Sequence, residues 1–157
     1  MSTPASIGRH PIHRMLVAIP IGLWVFSIVA DICHRLGWGS GAWSDVAFYT
    51  IGGGIVGALL AAIPGFIDFL SITDAKAGKL ALYHMIVNLI AVALFAVSFG
   101  LRWAGSTSGL TVVASVVGLI VVGVGGWLGG ELVYVHQMGV APTRSSRQQS
   151  DSQRRVA

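Results

Sequence analysis

Seven polar side chains lie in or beside long apolar stretches of the sequence, and several are of the types that bind metals or haem. They are His10, His13, Asp68, His84, Asn88, Glu131 and His136. Ionisable groups are costly to keep inside membrane-length apolar segments, so each is a candidate functional residue. Four of the five histidines of the chain belong to this set. We expect the set to form one polar layer near one end of the molecule.

The first interpretation of this layer is a haem b site. Helical bundles hold cofactors between inward-pointing side chains of facing helices, and imidazole is a common axial ligand of haem iron. His84 is the favoured ligand because it lies well inside an apolar stretch, with His13 or His136 as its partner. Arg14 is the candidate to pair with a haem propionate.

The second interpretation is a divalent metal ion bound directly by side chains. Its candidate ligands are His10, His13, Asp68, His84, Glu131 and His136. A mixed set of imidazoles and carboxylates suits zinc, iron or manganese without selecting one of them. The spacings match no short metal-binding motif, so the indication comes from the set as a whole.

The third interpretation is structural. Histidines at a membrane interface often cap helix ends or bond to water and lipid headgroups. Asp68 can pair with Lys76 or Arg14, and Glu131 with a histidine, as a polar latch that fixes the packing of the helices. All three interpretations remain open from the sequence.

Helical spacing adds detail to the polar layer. Residues four apart share a helix face, as His84 and Asn88 do, and as Trp127 and Glu131 do. Asn88 and Trp127 are therefore expected to line the same layer. By the same rule, Asp31 and Arg35 are expected to form a local ion pair at the other end of the molecule, where His34 is expected to be solvated.

Four apolar stretches must position these residues, at about residues 13–34, 46–70, 80–102 and 110–135. A bilayer core needs about 20 helical residues. The chain is 54% hydrophobic and only 10% charged, against about 25% charged residues in soluble domains. The sequence predicts an all-α integral membrane four-helix bundle, up-down-up-down, over residues 1–141. Residues 142–157 form a basic segment that we expect to be a disordered tail.

Lysine and arginine are distributed unequally between the two sides of such a bundle. One side carries Arg9, Arg14, Lys76, Lys79, Arg144, Arg147, Arg154 and Arg155, and the other carries only Arg35 and Arg102. Because cytoplasmic loops are enriched in Lys and Arg, both termini are predicted to be cytoplasmic. The expected location is the bacterial cytoplasmic membrane, with the polar layer near its inner face.

Small residues and prolines indicate how the helices pack. Gly53 and Gly57, Gly125 and Gly129, and Gly126 and Gly130 have the small-xxx-small spacing of close helix contacts. We expect these contacts inside the bundle, with a homodimer face as the alternative. Pro20 and Pro64 are expected to kink their helices. Trp24 and Trp127 lie deep in their segments and are expected to line the bundle interior.

Several classes of function are disfavoured. The glycine-rich segment at residues 52–54 lies in an apolar stretch rather than between a strand and a helix, so it is not a phosphate loop. The basic tail is too short and too poor in aromatic residues to indicate nucleic-acid binding. Cys33 is the only cysteine, which excludes an intramolecular disulfide. With no second histidine near the middle of the first stretch, a haem relay across the membrane is not expected.

Several segments together resemble a bacterial four-helix membrane family known as domain of unknown function 2231. They are His10–Val17, Pro20–Trp24, Gly57–Asp68, His84 with Asn88, and Gly126–Tyr134 followed by His136. The resemblance covers nearly the whole chain apart from the tail, and it implies no settled activity. Some members are joined to a Rieske-type iron–sulfur domain, which implies redox chemistry. We expect any redox role of this chain to require a separate partner protein.

The favoured prediction is a redox-associated membrane protein that holds haem b or a metal near the cytoplasmic face. The alternative is a non-enzymatic membrane scaffold, or a small proton or ion transporter in which the His, Asp and Glu side chains form a latch or a path. The sequence does not decide whether the protein is an enzyme. Its expected partners are the lipid bilayer, a redox protein and a second copy of the chain.

Overall fold

The computed structural model describes residues 4–7, 10–39 and 41–138, and this part of the chain is almost entirely helical. Its helices are α1 (Ile12–Leu16), α2 (Ala18–Arg35), α3 (Ala42–Leu70), α4 (Ala75–Trp103) and α5 (Leu110–Tyr134). Two short antiparallel strands precede them, β1 (Ser6–Ile7) and β2 (His10–Pro11). Counting α1 and α2 as one span, four helical segments are long and apolar enough to cross a membrane. The predicted all-α, four-helix membrane bundle is confirmed.

The first span is interrupted at Val17 because of a proline one turn later. Pro20 has no N–H, and its ring displaces the carbonyl of the residue four positions earlier, which is Leu16, the last residue of α1. The expected kink therefore takes the form of a break between α1 and α2. In contrast, α3 is a single helix through the buried Pro64.

The bundle is made of two helical hairpins. The first hairpin consists of α1, α2 and α3, and the second consists of α4 and α5. Helices within a hairpin are in extensive contact, whereas contacts between the hairpins, from α3 to α4 and from α2 to α5, are sparser. A seam therefore runs between the hairpins along the length of the bundle.

The two hairpins repeat the same packing. In the first, the ring of Trp24 lies against Gly54, and in the second, the ring of Phe95 lies against Gly118. The two rings stack on each other across the seam, with centroids 4.2 Å apart and planes 5° from parallel. Together with Ile51, these rings belong to the buried apolar core at the middle of the bundle.

Constant spacing shows that the repeat extends along the helices. Equivalent residues in the first helical segment of each hairpin differ by 71 in residue number, as 84 minus 13 and 102 minus 31 show. These first-helix pairs are His13 and His84, Trp24 and Phe95, Ser27 and Ser98, and Asp31 and Arg102. Equivalent residues in the second helix of each hairpin, α3 and α5, differ by 64, as 118 minus 54 and 129 minus 65 show. These second-helix pairs are Gly54 and Gly118, Ala61 and Gly125, and Gly65 and Gly129. Three of the first-helix pairs meet across the seam, as a local twofold axis along the bundle would place them.

Polar contacts lie at both ends of the seam. At one end, which we call the histidine end, the rings of His13 and His84 face each other. At the other, the ion-pair end, an Nη2 of Arg102 donates to Oδ2 of Asp31 over 2.7 Å, with side chains only 11% and 4% exposed. The expected local pair between Asp31 and Arg35 is therefore wrong. The Arg35 side chain is exposed, whereas Asp31 lies on the buried face of α2 and reaches across to α4.

The glycine pattern places most of the small residues inside the bundle. A Cβ on Gly57 would lie 3.2 Å from Ile19, and Cβ atoms on Gly125 and Gly129 would approach side chains of α4 to within 2.9 and 3.0 Å. A Cβ on Gly126 would have no heavy atom within 4 Å. The expected close helix contacts inside the bundle are therefore found for Gly125 and Gly129. The stripe that contains Gly126 faces outward.

Replacing Gly54 with Ala is expected to destabilise the first hairpin. The added Cβ would lie 2.3 Å from Nε1 of Trp24, so the buried indole would have to move. Such overpacking costs about 1–3 kcal/mol, more than the gain of up to about 1 kcal/mol from the higher helix propensity of alanine. The measurement is the unfolding free energy in detergent. Gly123→Ala is the matched control, since its Cβ meets no atom within 4 Å. An equally stable Gly54→Ala variant would contradict this packing.

Candidate functional site

The first histidine of the site is positioned by the first hairpin alone. His13 lies in the short helix α1, and its Nδ1 is 2.7 Å from the backbone carbonyl oxygen of Ala61 on α3. The ring fits there because residue 65, one turn further along α3, is glycine, whose Cβ would lie 2.7 Å from that Nδ1. Since a carbonyl oxygen only accepts, Nδ1 carries the proton and donates it. Nε2 of His13 is then left with a free lone pair.

The second hairpin holds His84 in the same way. His84 lies on α4, and its Nδ1 is 2.8 Å from the carbonyl oxygen of Gly125 on α5. Gly129 gives the ring its space, because a Cβ there would lie 3.0 Å from Cε1. Nδ1 again donates, so Nε2 of His84 is the accepting nitrogen, and Nδ2 of Asn88 lies 3.4 Å from it. Each hairpin thus contributes one imidazole of the same tautomer.

The two imidazoles meet across the seam. Their ring centroids are 6.3 Å apart and their planes are nearly perpendicular, at 86°. Both residues are half-buried. Hydrogen bonds of this kind, from Nδ1 to a backbone carbonyl, fix the tautomer and orientation of histidines that bind metals through Nε2. The two hairpins therefore bring two imidazoles close together, each with its Nδ1 bonded to a backbone carbonyl.

Asn88 supports the ring of His84 on its own helix. Its Nδ2 donates to the backbone oxygen of His84 over 2.8 Å and lies 3.4 Å from the ring Nε2. The absence of a side chain at Gly125 allows this, because a Cβ there would lie 2.9 Å from the Asn88 amide. The corresponding position of the first hairpin, 71 residues earlier, is Val17. The polar support is therefore present on one side of the pair only.

The other polar residues of the histidine end are engaged in closing the bundle. Oδ1 of Asp68 accepts a hydrogen bond from the backbone N–H of Ala5 at 3.0 Å. The guanidinium of Arg14 donates to the backbone oxygen of Met138. In the described residues, neither side chain forms the ion pair that the latch interpretation expected, because Asp31 with Arg102 is the one salt bridge found there. These two contacts tie both ends of the described chain to the helices.

The remaining candidates are distributed around this end. His10 is exposed in β2, Glu131 is half-buried on α5, and His136 is half-buried just beyond α5. Within residues 4–7, 10–39 and 41–138, no three His, Cys, Asp or Glu side chains are grouped closely enough to hold a metal ion. The six candidate metal ligands therefore do not assemble into one site in this part of the chain.

Trp127 does not line the polar layer. It is 78% exposed, so the expectation that it faces the bundle interior is wrong. The reason is its register on α5. Two residues are about 200° apart on a helix, and Trp127 comes two residues after Gly125 and two before Gly129, which both face α4. Trp24 is buried, as expected.

Sequence reasoning identified both histidines of the pair as candidates, but it did not explain why they lie next to each other. The missed signal was the internal repeat, since His13 and His84 occupy equivalent positions in two hairpins. A search for a constant offset between buried aromatic, charged and histidine positions would have found it. Arg102 was also missed as a functional candidate, although the same offset pairs it with Asp31.

Comparison with known proteins gives one match. A family model described as predicted membrane protein (DUF2231) matches residues 9–142, which is most of the chain. No curated protein matches the chain. No solved structure matches it either. The matched range begins just before the first histidine of the pair and extends past the last helix.

Proposed function

The chain belongs to the DUF2231 family of predicted membrane proteins, and from the site itself we propose that it is a redox-associated protein holding haem b at the histidine end. The single observation that carries the proposal is the facing pair of His13 and His84, each with Nδ1 bonded to a backbone carbonyl. Two neighbouring imidazoles from different hairpins can serve as the protein ligands of a b-type haem.

The spacing of the two rings fits this assignment. Two imidazoles that hold one metal centre need room for two metal–nitrogen bonds of about 2 Å between their rings. The rings of His13 and His84 are 6.3 Å apart. One or two imidazoles are enough to hold a haem, whereas a directly bound divalent ion usually takes three or more protein ligands, and the described residues offer no such group. Haem therefore fits the residues better than a directly bound ion.

The protein residues would have distinct roles in this site. His13 and His84 would hold the haem, and the carbonyls of Ala61 and Gly125 would keep their Nδ1 atoms protonated. The haem would supply one-electron redox chemistry when bound. The seam between the hairpins, where helix contacts are sparser, is where the macrocycle would enter. Arg14 would have to exchange its bond to the Met138 carbonyl for one to a propionate.

We base the proposed membrane side on the distribution of Lys and Arg, and the proposed partners on the position of the His13 and His84 pair. The excess of Lys and Arg on the side of the histidine end supports the proposal that this end lies at the cytoplasmic face of the bacterial inner membrane. Between this end and the ion-pair end lies the apolar core around Trp24 and Phe95. We therefore propose that electrons are exchanged with a separate redox protein or carrier at the histidine end. The outward-facing stripe at Gly126 and Gly130 is the proposed face for a homodimer.

The experiment that tests this function is an absorption spectrum of the purified protein. The chain is produced in cells with ample haem, purified in detergent, and recorded before and after dithionite. The proposal predicts a Soret band, sharp α and β bands on reduction, and about one haem per chain. A featureless spectrum from such cells would overturn the haem assignment.

Gly65→Ala tests whether the first hairpin holds its ligand as described. The new Cβ would lie 2.7 Å from Nδ1 of His13 and would push the ring off the Ala61 carbonyl. Haem affinity is expected to fall about tenfold or more, because second-shell partners of ligating histidines contribute about 10–100-fold. The measurement is a haem titration followed at the Soret band. Gly22→Ala is the control, since its Cβ meets nothing within 4 Å, and unchanged affinity of Gly65→Ala would argue against His13 as a ligand.

A structural role without a cofactor is the second candidate, and the ion-pair end favours it. Asp31 and Arg102 join the two hairpins through a nearly buried ion pair, which is the kind of contact a scaffold uses to fix its shape. An ion path is less well supported than a scaffold. The core between the two ends consists of Trp24, Ile51, Ala91, Phe95 and Val122, which offer no ionisable group.

A further inference from the structure

A groove at the ion-pair end lies apart from the histidine site. It is formed between the first turns of α3 and the last turn of α4, has a volume of about 350 Å³ and is open to the outside. Its lining residues are Ser44, Asp45, Phe48, Tyr49, Arg102 and Trp103. His84 is 18 positions before Arg102 on α4, which corresponds to about 27 Å along the helix. The groove is therefore a second site rather than an extension of the first.

The aromatic wall of the groove is built into the fold. The ring of Phe48 stacks on that of Phe99, with centroids 4.6 Å apart and planes at 13°. The Trp103 ring lies 6.0 Å from Phe48 and 6.1 Å from Phe99. Phe99 fits against α3 because residue 52 is glycine, whose Cβ would lie 2.9 Å from the ring. The three rings thus form a fixed cluster on one side of the groove.

The charges of the groove favour a cation. The guanidinium of Arg102 is paired with Asp31 at 2.7 Å and also donates to the Ser98 hydroxyl over 3.3 Å, so its charge is balanced by a carboxylate from the interior. Asp45 is exposed at the rim, and in the described part of the chain it belongs to no ion pair. One negative charge therefore remains beside aromatic rings, which attract cations over their faces.

We propose that this groove binds an alkylammonium group, with Asp45 as the counter-charge and Phe48 and Trp103 as the aromatic contacts. The groove lies at the end of two candidate membrane spans, where lipid headgroups are expected. Two sources carry this chemistry, the amine of a phosphatidylethanolamine headgroup and a free amine from the aqueous phase. An inorganic anion is not expected, because the one guanidinium of the groove is already paired.

The proposal is tested by titrating tetramethylammonium into the full-length protein in a neutral detergent, followed by saturation-transfer NMR. Binding is expected to saturate and to weaken about tenfold in Asp45→Asn and in Trp103→Leu. Controls at the opposite end are Glu131→Gln and Tyr134→Leu, which are expected to bind as the wild type does. Phosphatidylethanolamine and phosphatidylglycerol are then added as competitors. Displacement by the first lipid alone assigns the site to a headgroup, and no displacement assigns it to a free amine.

Two results would overturn the proposal. One is the absence of saturable binding, in which case the aromatic residues only anchor the helix ends at the membrane interface. The other is an equal change of binding in Asp45→Asn and in the control variants, because the cation would then be attracted by the general charge of the protein. Both outcomes are independent of haem, so they leave the proposed function of the histidine end unaffected.

Discussion

The His84→Ala variant is expected to purify without haem b, and His13→Ala is expected to do the same. In the proposed site each hairpin would supply one histidine to hold the haem, and the Nδ1 of that histidine is bonded to a carbonyl of the same hairpin. Removing one histidine would leave the proposed site with a single imidazole to hold the haem. The measurement is the ratio of Soret to protein absorbance, and we expect it to fall at least tenfold.

Two controls separate loss of a ligand from loss of the fold. His34 is exposed near the ion-pair end, so His34→Ala is expected to keep its full haem content. His84→Gly with added imidazole is expected to recover the reduced α and β bands, since free imidazole can occupy the space of the missing ring. Full haem retention by either alanine variant would exclude that histidine as a ligand.

Breaking the ion pair between the hairpins is expected to have the largest effect on stability. Asp31→Ala leaves the guanidinium of Arg102 nearly buried with no carboxylate partner, and Arg102→Ala leaves the carboxylate of Asp31 alone. Removing one partner of a buried pair costs about 3–5 kcal/mol. The measurement is the unfolding free energy in detergent. Arg35→Gln is the matched control, because Arg35 is exposed and such substitutions usually change stability by less than about 0.5 kcal/mol.

The internal repeat makes a sharper form of this test possible. Asp31 and Arg102 occupy equivalent positions in the two hairpins, so exchanging them should rebuild the pair in the opposite direction. We expect the double variant Asp31→Arg with Arg102→Asp to recover most of the stability that either single change loses. Strictly additive losses would show that the two positions are not equivalent. Ser98, which contacts Arg102, has its equivalent in Ser27, so the first hairpin also offers a serine hydroxyl one turn before the exchanged arginine.

The fold was predictable because membrane spans are determined by length and hydropathy. The predicted third segment began at residue 80, whereas α4 begins at Ala75. The difference arises from Asp74, whose carboxylate accepts from the backbone N–H groups of Lys76 and Ala77 at 3.1 and 2.9 Å and so caps the helix earlier. Hydropathy does not detect such a cap, because the first turn of α4 is polar.

The candidate site was predictable only as a layer. Alternating spans place His13 and His84 at the same end of the bundle, and that much follows from the sequence. Which side chains meet depends on helix rotation, and a one-residue change of register moves a side chain by about 100°. This is why Trp127 was assigned inward but is exposed. It is also why Asp31 was assigned to Arg35 on its own helix, although its partner is Arg102 on α4.

The measurement that tests the central claim most directly is the electron paramagnetic resonance spectrum of the oxidised, haem-loaded protein. The claim is that one histidine from each hairpin binds the same iron, and two imidazole ligands give a low-spin ferric haem. The account predicts a low-spin signal in the wild type that is absent from His13→Ala and His84→Ala. A high-spin ferric signal in the wild type, or a low-spin signal that survives in either variant, would contradict it.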